Sequence, residues 1–393
     1  MKPERRKLKT AAIFAGIGGI ELGLEKAGHE TIFMCENDEH AQKVLGNRFK
    51  KATIFGDVQE LENLPQADLV TAGFPCQDIS FIGSRLGLDG KKSGLIGEVF
   101  RLISKSNPEL VLLENVSNLL RLNKGSAMIT ILHSLEDLGY KWAYRLVDSR
   151  GFGLPQRRLR VIILASKGTI NPQDILLDHD EAPEFDDSFT QELDGNCFGF
   201  YWTEGRRGVG WAKNAVPTIK GGSGLGIPSP PAIFDSVSGI TATPDIEDSE
   251  RMQGFPAGFT EVFPDGSPTK IGHRWKMVGN AVSVPIAEWI GHQLADPKGK
   301  FNNDFELWSG NSPMPRAAFG SKDKWYRTEI GTHPLVSAHT PIRDFLTNEL
   351  KPLSIRALKG YISRVKAGNK KLPDAFINSL EKQLKLAEIK SKK

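Results

Sequence analysis

A single cysteine stands in the first of three short segments whose residue types could support catalysis. Cys76 belongs to residues 73–77, Gly-Phe-Pro-Cys-Gln, which follow a predicted buried strand at 67–72. Open α/β sheets hold their ligands at the carboxyl ends of their strands, and a thiolate placed there is a strong nucleophile. The sequence therefore permits nucleophilic catalysis, but a lone cysteine by itself favours a buried structural thiol.

A carboxylate and two arginines follow at further strand ends. Glu114 comes directly after the apolar run at 110–113. A glutamate that faces a cleft there can be desolvated and kept partly protonated, as acid catalysis near neutral pH requires. Arg158 and Arg160 open another predicted strand, and side-chain alternation predicts that they share one face, where they could bind a carbonyl and a phosphate. The competing interpretations are a surface or helix-capping glutamate and a basic edge strand.

A glycine-rich turn near the amino terminus could bind a nucleotide. Residues 14–19 read Phe-Ala-Gly-Ile-Gly-Gly between a predicted strand and a predicted helix, where glycines let a ligand approach the backbone. Glu36, at the end of the second strand, can accept hydrogen bonds from ribose hydroxyls, and Asp57 is placed to reach an adenine edge. The third glycine of the dinucleotide fingerprint is replaced by Glu21, which counts against NAD.

Strands and helices alternate through the first part of the chain and must position these segments. Strands are predicted at 10–14, 31–35, 67–72, 109–113, 142–147 and 159–165, and helices at 20–27, 39–49, 98–106 and 126–138. This alternation is typical of a parallel or mixed sheet covered on both faces. A loop-rich middle stretch follows, regular patterning returns near 246–294, and two amphipathic helices are predicted at 353–365 and 374–389.

Composition excludes several classes of protein. The 393 residues predict two to three domains, and the hydrophobic share of 39% excludes disorder of the whole chain. The sequence contains no apolar run of ~18 residues, which a membrane span needs, and no secretory signal. Three cysteines cannot form a disulfide framework, which favours a reducing cytoplasm. Eight scattered histidines predict that the protein binds no metal.

Charge is distributed unevenly although the net charge is only +4. Residues 351–393 carry 12 Lys and Arg against 3 Asp and Glu, whereas residues 168–205 carry ten acidic residues and no basic one. The basic carboxyl-terminal stretch is predicted to contact phosphate groups locally; a docking or solubilising tail is the alternative. A second basic stretch at 81–97 contains several glycines and resembles a lid that closes over a phosphate backbone.

Six segments in this order resemble the motifs of DNA (cytosine-5) methyltransferases of the bacterial modification type. They lie at 14–19, 73–77, 114–116, 156–160, 250–256 and 279–285. The resemblance implies a Rossmann-like, S-adenosylmethionine-dependent α/β fold, a mixed sheet with helices on both faces. It also implies a smaller loop-rich target-recognition domain and leaves a carboxyl-terminal helical extension. The domains implied are 1–165 with 246–295 for catalysis, 166–245 for target recognition and 296–393 for the extension.

The same resemblance implies the roles of individual residues. The catalytic residues would be Cys76, Glu114, Arg158 and Arg160. The cofactor S-adenosylmethionine would be held by Phe14, Ala15, Gly16, Ile17, Gly18, Gly19, Glu36, Asn37, Asp57, Val58, Gly73, Pro75, Leu95, Asn280, Ala281 and Val282. Contacts to DNA would come from Gln77, Ser80, Arg85, Arg206, Arg207, Lys213, Thr218 and Lys220.

The implied reaction begins when Cys76 adds to C6 of a cytosine flipped out of duplex DNA. Glu114 would act at N3 and Arg160 at O2 of this base. The expected protein is a cytoplasmic monomer that needs no metal and no membrane, with a cognate restriction endonuclease acting separately. A tRNA methyltransferase of the DNA-type lineage and a non-catalytic DNA-binding relative are the alternatives.

Overall fold

The computed structural model describes residues 5–75, 94–181, 185, 192–204, 208–222, 228–263, 266–297, 299–311, 313–322, 324–368 and 372–392. The strands are β1 (Lys9–Ile13), β2 (Glu30–Cys35), β3 (Thr53–Phe55), β4 (Leu69–Ala72), β5 (Leu110–Val116), β6 (Lys141–Asp148), β7 (Gln156–Arg157), β8 (Leu159–Ser166), β9 (Cys197–Phe200), β10 (Ala212–Lys213), β11 (Val216–Pro217), β12 (Ala232–Asp235), β13 (Ile240–Thr243), β14 (Phe305–Leu307), β15 (Ala317–Ser321), β16 (Lys324–Thr328) and β17 (Lys351–Pro352).

The helices are α1 (Gly19–Lys26), α2 (Glu39–Arg48), α3 (Gly94–Ser106), α4 (Ser126–Asp137), α5 (Pro172–Leu176), α6 (Ile246–Arg251), α7 (Ile271–Asn280), α8 (Val284–Ala295), α9 (Ile342–Phe345), α10 (Ile355–Lys366) and α11 (Asp374–Lys390). None of these described helices combines the length and the apolar character that a membrane span requires.

The chain forms two compact units. Unit 1 comprises Met1–Phe152, Leu159–Ala182 and Ala281–Val336, and unit 2 comprises Gly153–Arg158, Pro183–Asn280 and Ser337–Lys393. These boundaries differ from the predicted domains, because residues 246–280 belong to unit 2 and residues 296–336 to unit 1.

Unit 1 is built on a ten-stranded mixed sheet in the order β14-β16-β15-β6-β8-β5-β4-β1-β2-β3. Strands β1 to β5 run parallel to one another, and β8 runs antiparallel to β5. The carboxyl ends of β1, β2, β4 and β5 therefore meet at one edge, together with the amino end of β8. This edge, which we call the active edge, is where a sheet of this topology binds ligands.

Helices cover both faces of this sheet, as the strand pattern predicts. Val111 and Leu113 of β5 pack into one apolar cluster with α3 and α4, while Leu110 and Leu112 pack into a second cluster with α1 and α8. A strand is expected to have apolar residues at consecutive positions when both of its faces are buried. The predicted α/β fold with a mixed sheet is confirmed.

Three strands that the sequence analysis did not predict extend this sheet. β15 pairs antiparallel with β6, and β16 and β14 follow it outward. Trp142 of β6 and Trp325 of β16 both donate their indole N–H groups to the buried carboxylate of Glu136 on α4. This shared acceptor ties the added strands to the rest of unit 1.

Unit 2 contains a five-stranded sheet in the order β10-β9-β12-β13-β17, with α10 and α11 packed against it. The apolar faces of the two helices supply the fully buried Leu358, Tyr361, Phe376 and Leu380. Both predicted amphipathic helices are therefore present, but they complete the core of unit 2 instead of forming a separate extension.

We expect a chain that ends after Leu350 to lose the native fold of unit 2. Each of the four buried side chains stabilises the fold by ~1.5–3 kcal/mol, and together they approach the ~5–15 kcal/mol that separates folded from unfolded domains. Circular dichroism melting should show a lost or weakened transition. A chain that ends after Glu388, whose missing Ile389 is exposed, is the control. A native melting profile of the shorter chain would contradict this packing.

Candidate active site

The loop that connects β1 to α1 leaves room for a ligand at the active edge. Phe14, Gly16 and Gly18 all have positive φ angles, and Gly18 caps α1 in the left-handed conformation. A Cβ at Gly18 would come within 2.4 Å of the Phe49 ring, so a larger residue does not fit there. A Cβ at Gly16 would meet no atom of the described residues within 4 Å, so this side of the loop is open.

Two carboxylates flank this loop. The carboxylate of Glu36 accepts hydrogen bonds from the backbone N–H of Gly16 at 2.8 Å and of Asp38 at 2.9 Å. Each carboxylate oxygen has a second acceptor site, which leaves capacity for ligand hydroxyls. Asp57, in the turn after β3, accepts from the backbone N–H of Gln59 at 2.9 Å.

The chain that leads to Cys76 passes between the loop and Glu114. A Cβ at Gly73 would lie 3.6 Å from both the Phe14 carbonyl oxygen and Glu114 Oε2. The side-chain amide of Asn115 donates to the Phe74 carbonyl at 2.9 Å and holds this segment at the active edge. No role was predicted for Asn115, although its position directly after Glu114 on the same strand was an available signal.

Four predicted site residues lie outside the described part of this segment. They are Cys76, Gln77, Ser80 and Arg85. The described cysteines, Cys35 and Cys197, are both buried, and burial raises their pKa values to about 12 and about 11. A thiol with so high a pKa forms almost no thiolate at neutral pH, so neither is suited to be a nucleophile.

Glu114 and Arg160 form a buried ion pair at the active edge. Glu114 Oε1 lies 2.7 Å from Arg160 Nε, and the two side chains are only 10% and 8% exposed. No hydrogen bond from another described residue reaches this carboxylate oxygen. The pair therefore presents an acceptor and a cation beside Gly73, and loss of either partner would leave an unpaired buried charge, which costs about 3–5 kcal/mol.

Arg158 and Arg160 do not share a strand face, and this part of the prediction is wrong. β7 ends at Arg157 and β8 begins at Leu159, so the alternation is interrupted at Arg158. The Arg158 guanidinium donates instead to the backbone carbonyls of Ile219 at 3.1 Å and Gly279 at 3.3 Å, within unit 2. It joins two segments of the backbone.

The returning segment of the chain packs against the helix that follows the glycine loop. Ala281 and Val282 lead into α8, and a Cβ at Gly23 of α1 would come within 2.5 Å of the Val284 carbonyl oxygen. Asn280 ends α7 in unit 2. Of the remaining predicted cofactor residues, Val58 is buried, Asn37 is exposed and Leu95 lies at the start of α3.

The predicted DNA contacts in unit 2 are only partly described. Arg206 and Arg207 lie outside the described residues, and Lys213 is half-buried in β10. Lys220 pairs with Glu204 and lies over the Tyr201 ring, with Nζ 3.8 Å from its centroid. Thr218 Oγ1 donates to the Arg157 carbonyl at 2.9 Å. Both of these side chains are thus engaged within unit 2.

Known proteins resemble this chain along most of its length. A family model described as C-5 cytosine-specific DNA methylase matches residues 8–201. The type II methyltransferase M2.BsuMI of Bacillus subtilis (strain 168) is 46% identical over 382 residues, which cover 95% of this chain and 98% of that protein. The type II methyltransferase M.Bsp6I of Bacillus sp. (strain RFL6) is 30% identical over 318 residues, with coverage of 73% and 98%.

Among solved structures, a mutant DNMT2 of Spodoptera frugiperda has a similar fold. The TM-score is 0.50 at 14% identity, and the match covers 71% of this chain and 97% of that one. At this identity the likeness concerns the fold alone.

Proposed function

Because the chain belongs to the C-5 cytosine-specific DNA methylases, we propose that it methylates C5 of a cytosine flipped out of duplex DNA, through a bond between Cys76 and C6. The observation that carries this mechanism is the buried Glu114–Arg160 pair beside Gly73. The guanidinium can donate to O2 of cytosine, the carboxyl group of Glu114 can donate to N3 when it is protonated, and Cys76 follows Gly73 by three residues.

The residues of the active edge fit S-adenosylmethionine, which supplies the methyl group when bound. The open side of Gly16 gives a backbone cradle, and Glu36 retains acceptor sites for ribose hydroxyls. Asp57 lies in the turn after the neighbouring β3. We assign these three residues, with their neighbours in the loop, to the cofactor site. Among the described residues, no group of three or more His, Cys, Asp or Glu is arranged to bind a metal ion.

Cys76 and Glu114 make cytosine reactive toward the methyl donor. Carbon C5 of cytosine is a poor nucleophile, and addition of the Cys76 thiolate to C6 converts the ring to an enamine whose C5 is nucleophilic. Glu114 stabilises this adduct by donating a proton or a hydrogen bond to N3, and Arg160 holds O2. After methylation a base removes the C5 proton, the C5–C6 double bond re-forms, the Cys76 thiolate leaves and a proton held at N3 returns to Glu114.

Arg158 acts as a positioning residue in this proposal. Its hydrogen bonds go to backbone carbonyls of unit 2, so it supports the recognition unit instead of touching the base. We place recognition of the DNA sequence in unit 2, where Lys213, Thr218 and Lys220 lie.

The relatives named as type II methyltransferases suggest a role in restriction and modification. We propose that this protein acts as a monomer in the bacterial cytoplasm and protects host DNA against a separate endonuclease. Bisulfite sequencing of host DNA after expression tests the activity. We expect 5-methylcytosine at one short sequence throughout the genome. Methylation of tRNA alone, or of neither DNA nor tRNA, would overturn the proposal.

Several basic residues near the two ends of the chain form ion pairs with acidic residues. Near the amino terminus, Arg6 pairs with Glu109 and Lys7 with Glu30. On α10, Lys359 pairs with Glu388 and Lys366 with Glu381. Another set of lysines lies exposed near the carboxyl terminus: Lys382 and Lys385 on α11, and Lys392 two residues after its end. We call this set the α11 stripe and propose that it contacts DNA phosphates.

We expect replacement of the three stripe lysines by glutamine to reduce the salt dependence of nonspecific DNA binding. Each lost phosphate contact should lower the slope of log affinity against log salt by ~0.9, so three contacts should lower it by ~2.7. Fluorescence anisotropy with a duplex that lacks the target sequence measures this slope. The sequence that is methylated should stay the same, because the stripe reads no bases.

The matched control replaces three exposed lysines of unit 1, Lys43, Lys50 and Lys322, by glutamine. This variant has the same net charge as the stripe variant and should keep the wild-type slope. Equal slopes for the two variants would show that the stripe makes no phosphate contact.

A further inference from the structure

A buried carboxyl group lies between two segments of the active edge and has no part in the mechanism above. Glu21 stands on the first turn of α1 and Thr71 on β4, and each residue is 1% exposed. Thr71 Oγ1 donates a hydrogen bond to Glu21 Oε1 at 2.6 Å. A glutamate is almost never fully buried unless it has a specific partner, and the partner of Glu21 is Thr71.

The hydrogen bond joins α1 to β4, which adjoin the glycine-rich loop and the segment that leads to Cys76. α1 begins at Gly19, directly after the glycine-rich loop, so Glu21 moves with that loop. Thr71 lies two residues before Gly73, on the strand that leads to Cys76. β4 pairs with β1 on one side and β5 on the other, and the hydrogen bond adds a direct link from β4 to the helix above it.

We infer that Glu21 is a positioning residue that holds the cofactor loop at a fixed distance from the strand carrying the nucleophile. This inference rests on the proposed function, since it concerns the alignment of the methyl donor with the C5 atom of the adduct. Misplacement of reacting groups by ~1 Å can lower a rate by ~10²-fold. The contact between Glu21 and Thr71, which links α1 to β4, should therefore have a large influence on the turnover rate.

The protonation state of Glu21 should modulate this link. Burial, with a smaller contribution from the nearby Glu25, raises the pKa of Glu21 to about 7, although the hydrogen bond from Thr71 acts in the opposite direction. Of the charged groups on the elements around α1, Lys26 pairs with Glu288 of α8 and Glu30 of β2 pairs with Lys7. Near neutral pH the carboxyl group thus changes between a neutral form that fits its apolar surroundings and a charged form that does not.

The folded state binds the Glu21 proton more tightly than the unfolded state, whose carboxyl titrates near 4.5. The stability contributed by the neutral carboxyl is therefore full below pH 4.5 and is lost as the pH rises toward 7. Glutamine keeps an oxygen that accepts from Thr71 and cannot ionise. Glu21→Gln should consequently melt several degrees above the wild type at pH 8, with a smaller difference at pH 5.

Substitutions of Thr71 separate positioning from general stability. Thr71→Val removes the donor but keeps the shape, and Thr71→Ser keeps a hydroxyl. The matched control is Thr10→Val, which removes a buried hydroxyl from the opposite end of β1, where Thr10 contacts Thr31. Turnover is measured with saturating DNA and S-adenosylmethionine at a temperature where every variant is folded.

We expect Thr71→Val to lower kcat by ~10- to 100-fold, Thr71→Ser to restore most of it, and Thr10→Val to retain the wild-type kcat. We also expect the wild-type kcat to decline above pH 7 in a step that Glu21→Gln lacks. Equal kcat values for Thr71→Val and Thr10→Val, or a pH step that persists in Glu21→Gln, would overturn the inference. A wild type that methylates no cytosine would instead overturn the proposed function.

Discussion

Replacement of Cys76 by serine is expected to lower DNA methylation by at least ~10³-fold and to leave duplex binding unchanged. A serine hydroxyl forms far too little alkoxide at neutral pH to add to C6, whereas DNA binding depends on phosphate and base contacts that the substitution keeps. Transfer of a radiolabelled methyl group to DNA and an electrophoretic mobility shift with the same duplex measure the two properties.

Cys197→Ser is the control for this experiment. Cys197 is buried in β9, and its thiol contacts Asp235, so serine can keep that contact. We expect this variant to methylate DNA at the wild-type rate. Normal methylation by Cys76→Ser, or its loss in Cys197→Ser alone, would show that another residue is the nucleophile.

Glu114→Gln is expected to slow formation of the covalent adduct by ~10²- to 10⁴-fold, the usual contribution of a general acid. Glutamine keeps the shape of the side chain and an oxygen that faces Arg160, but it cannot transfer a proton to N3. Single-turnover kinetics with excess enzyme measure this step. The melting temperature should also fall, because Arg160 loses its charged partner, so the rate is measured at a temperature where both proteins are folded.

The matched control for Glu114 lies just before the opposite end of the same strand. Glu109 precedes β5 and pairs with Arg6 at 2.6 Å, half-exposed. Glu109→Gln also removes a paired carboxylate beside β5, but it lies away from the active edge. Adduct formation should stay at the wild-type rate in this variant, and a comparable loss in both variants would indicate a general effect on the sheet.

Local sequence patterns predicted the parts of the fold that depend on local interactions. The strand before Cys76 and the strand that contains Glu114 were both recognisable as apolar runs, and the sheet brings their carboxyl ends to one edge. Because parallel strands all place their carboxyl ends on the same edge, recognition of these runs was sufficient to group Gly73 with Glu114.

Arg158 shows where local reasoning failed. Alternation along a strand places residues two apart on one face only if the strand is continuous. Here the chain leaves β7, which pairs with β11, before it enters β8, which pairs with β5 and β6. The partners that interrupt the strand are distant in sequence, so the local pattern could not reveal the break.

The same limit explains the strands β14 to β16 and the role of the last two helices. β15 pairs with β6 across about 170 residues of chain, and three short strands carry too weak a pattern to predict that pairing. The apolar faces of α10 and α11 were visible in the sequence. The sheet that covers these faces could not be predicted, because amphipathic periodicity shows that a face is buried but not which element covers it.

Covalent trapping tests the central claim, that Cys76 bonds to C6 of cytosine, most directly. The protein is incubated with S-adenosylmethionine and a duplex that carries 5-fluorocytosine at the target position. Fluorine cannot leave C5 as a cation, so elimination stops while the thiol is still bonded to C6. Proteolysis and mass spectrometry should identify Cys76 as the modified residue, and Cys76→Ser should form no complex. A modified peptide that contains Cys35 or Cys197, or the absence of any complex with an active protein, would contradict the account.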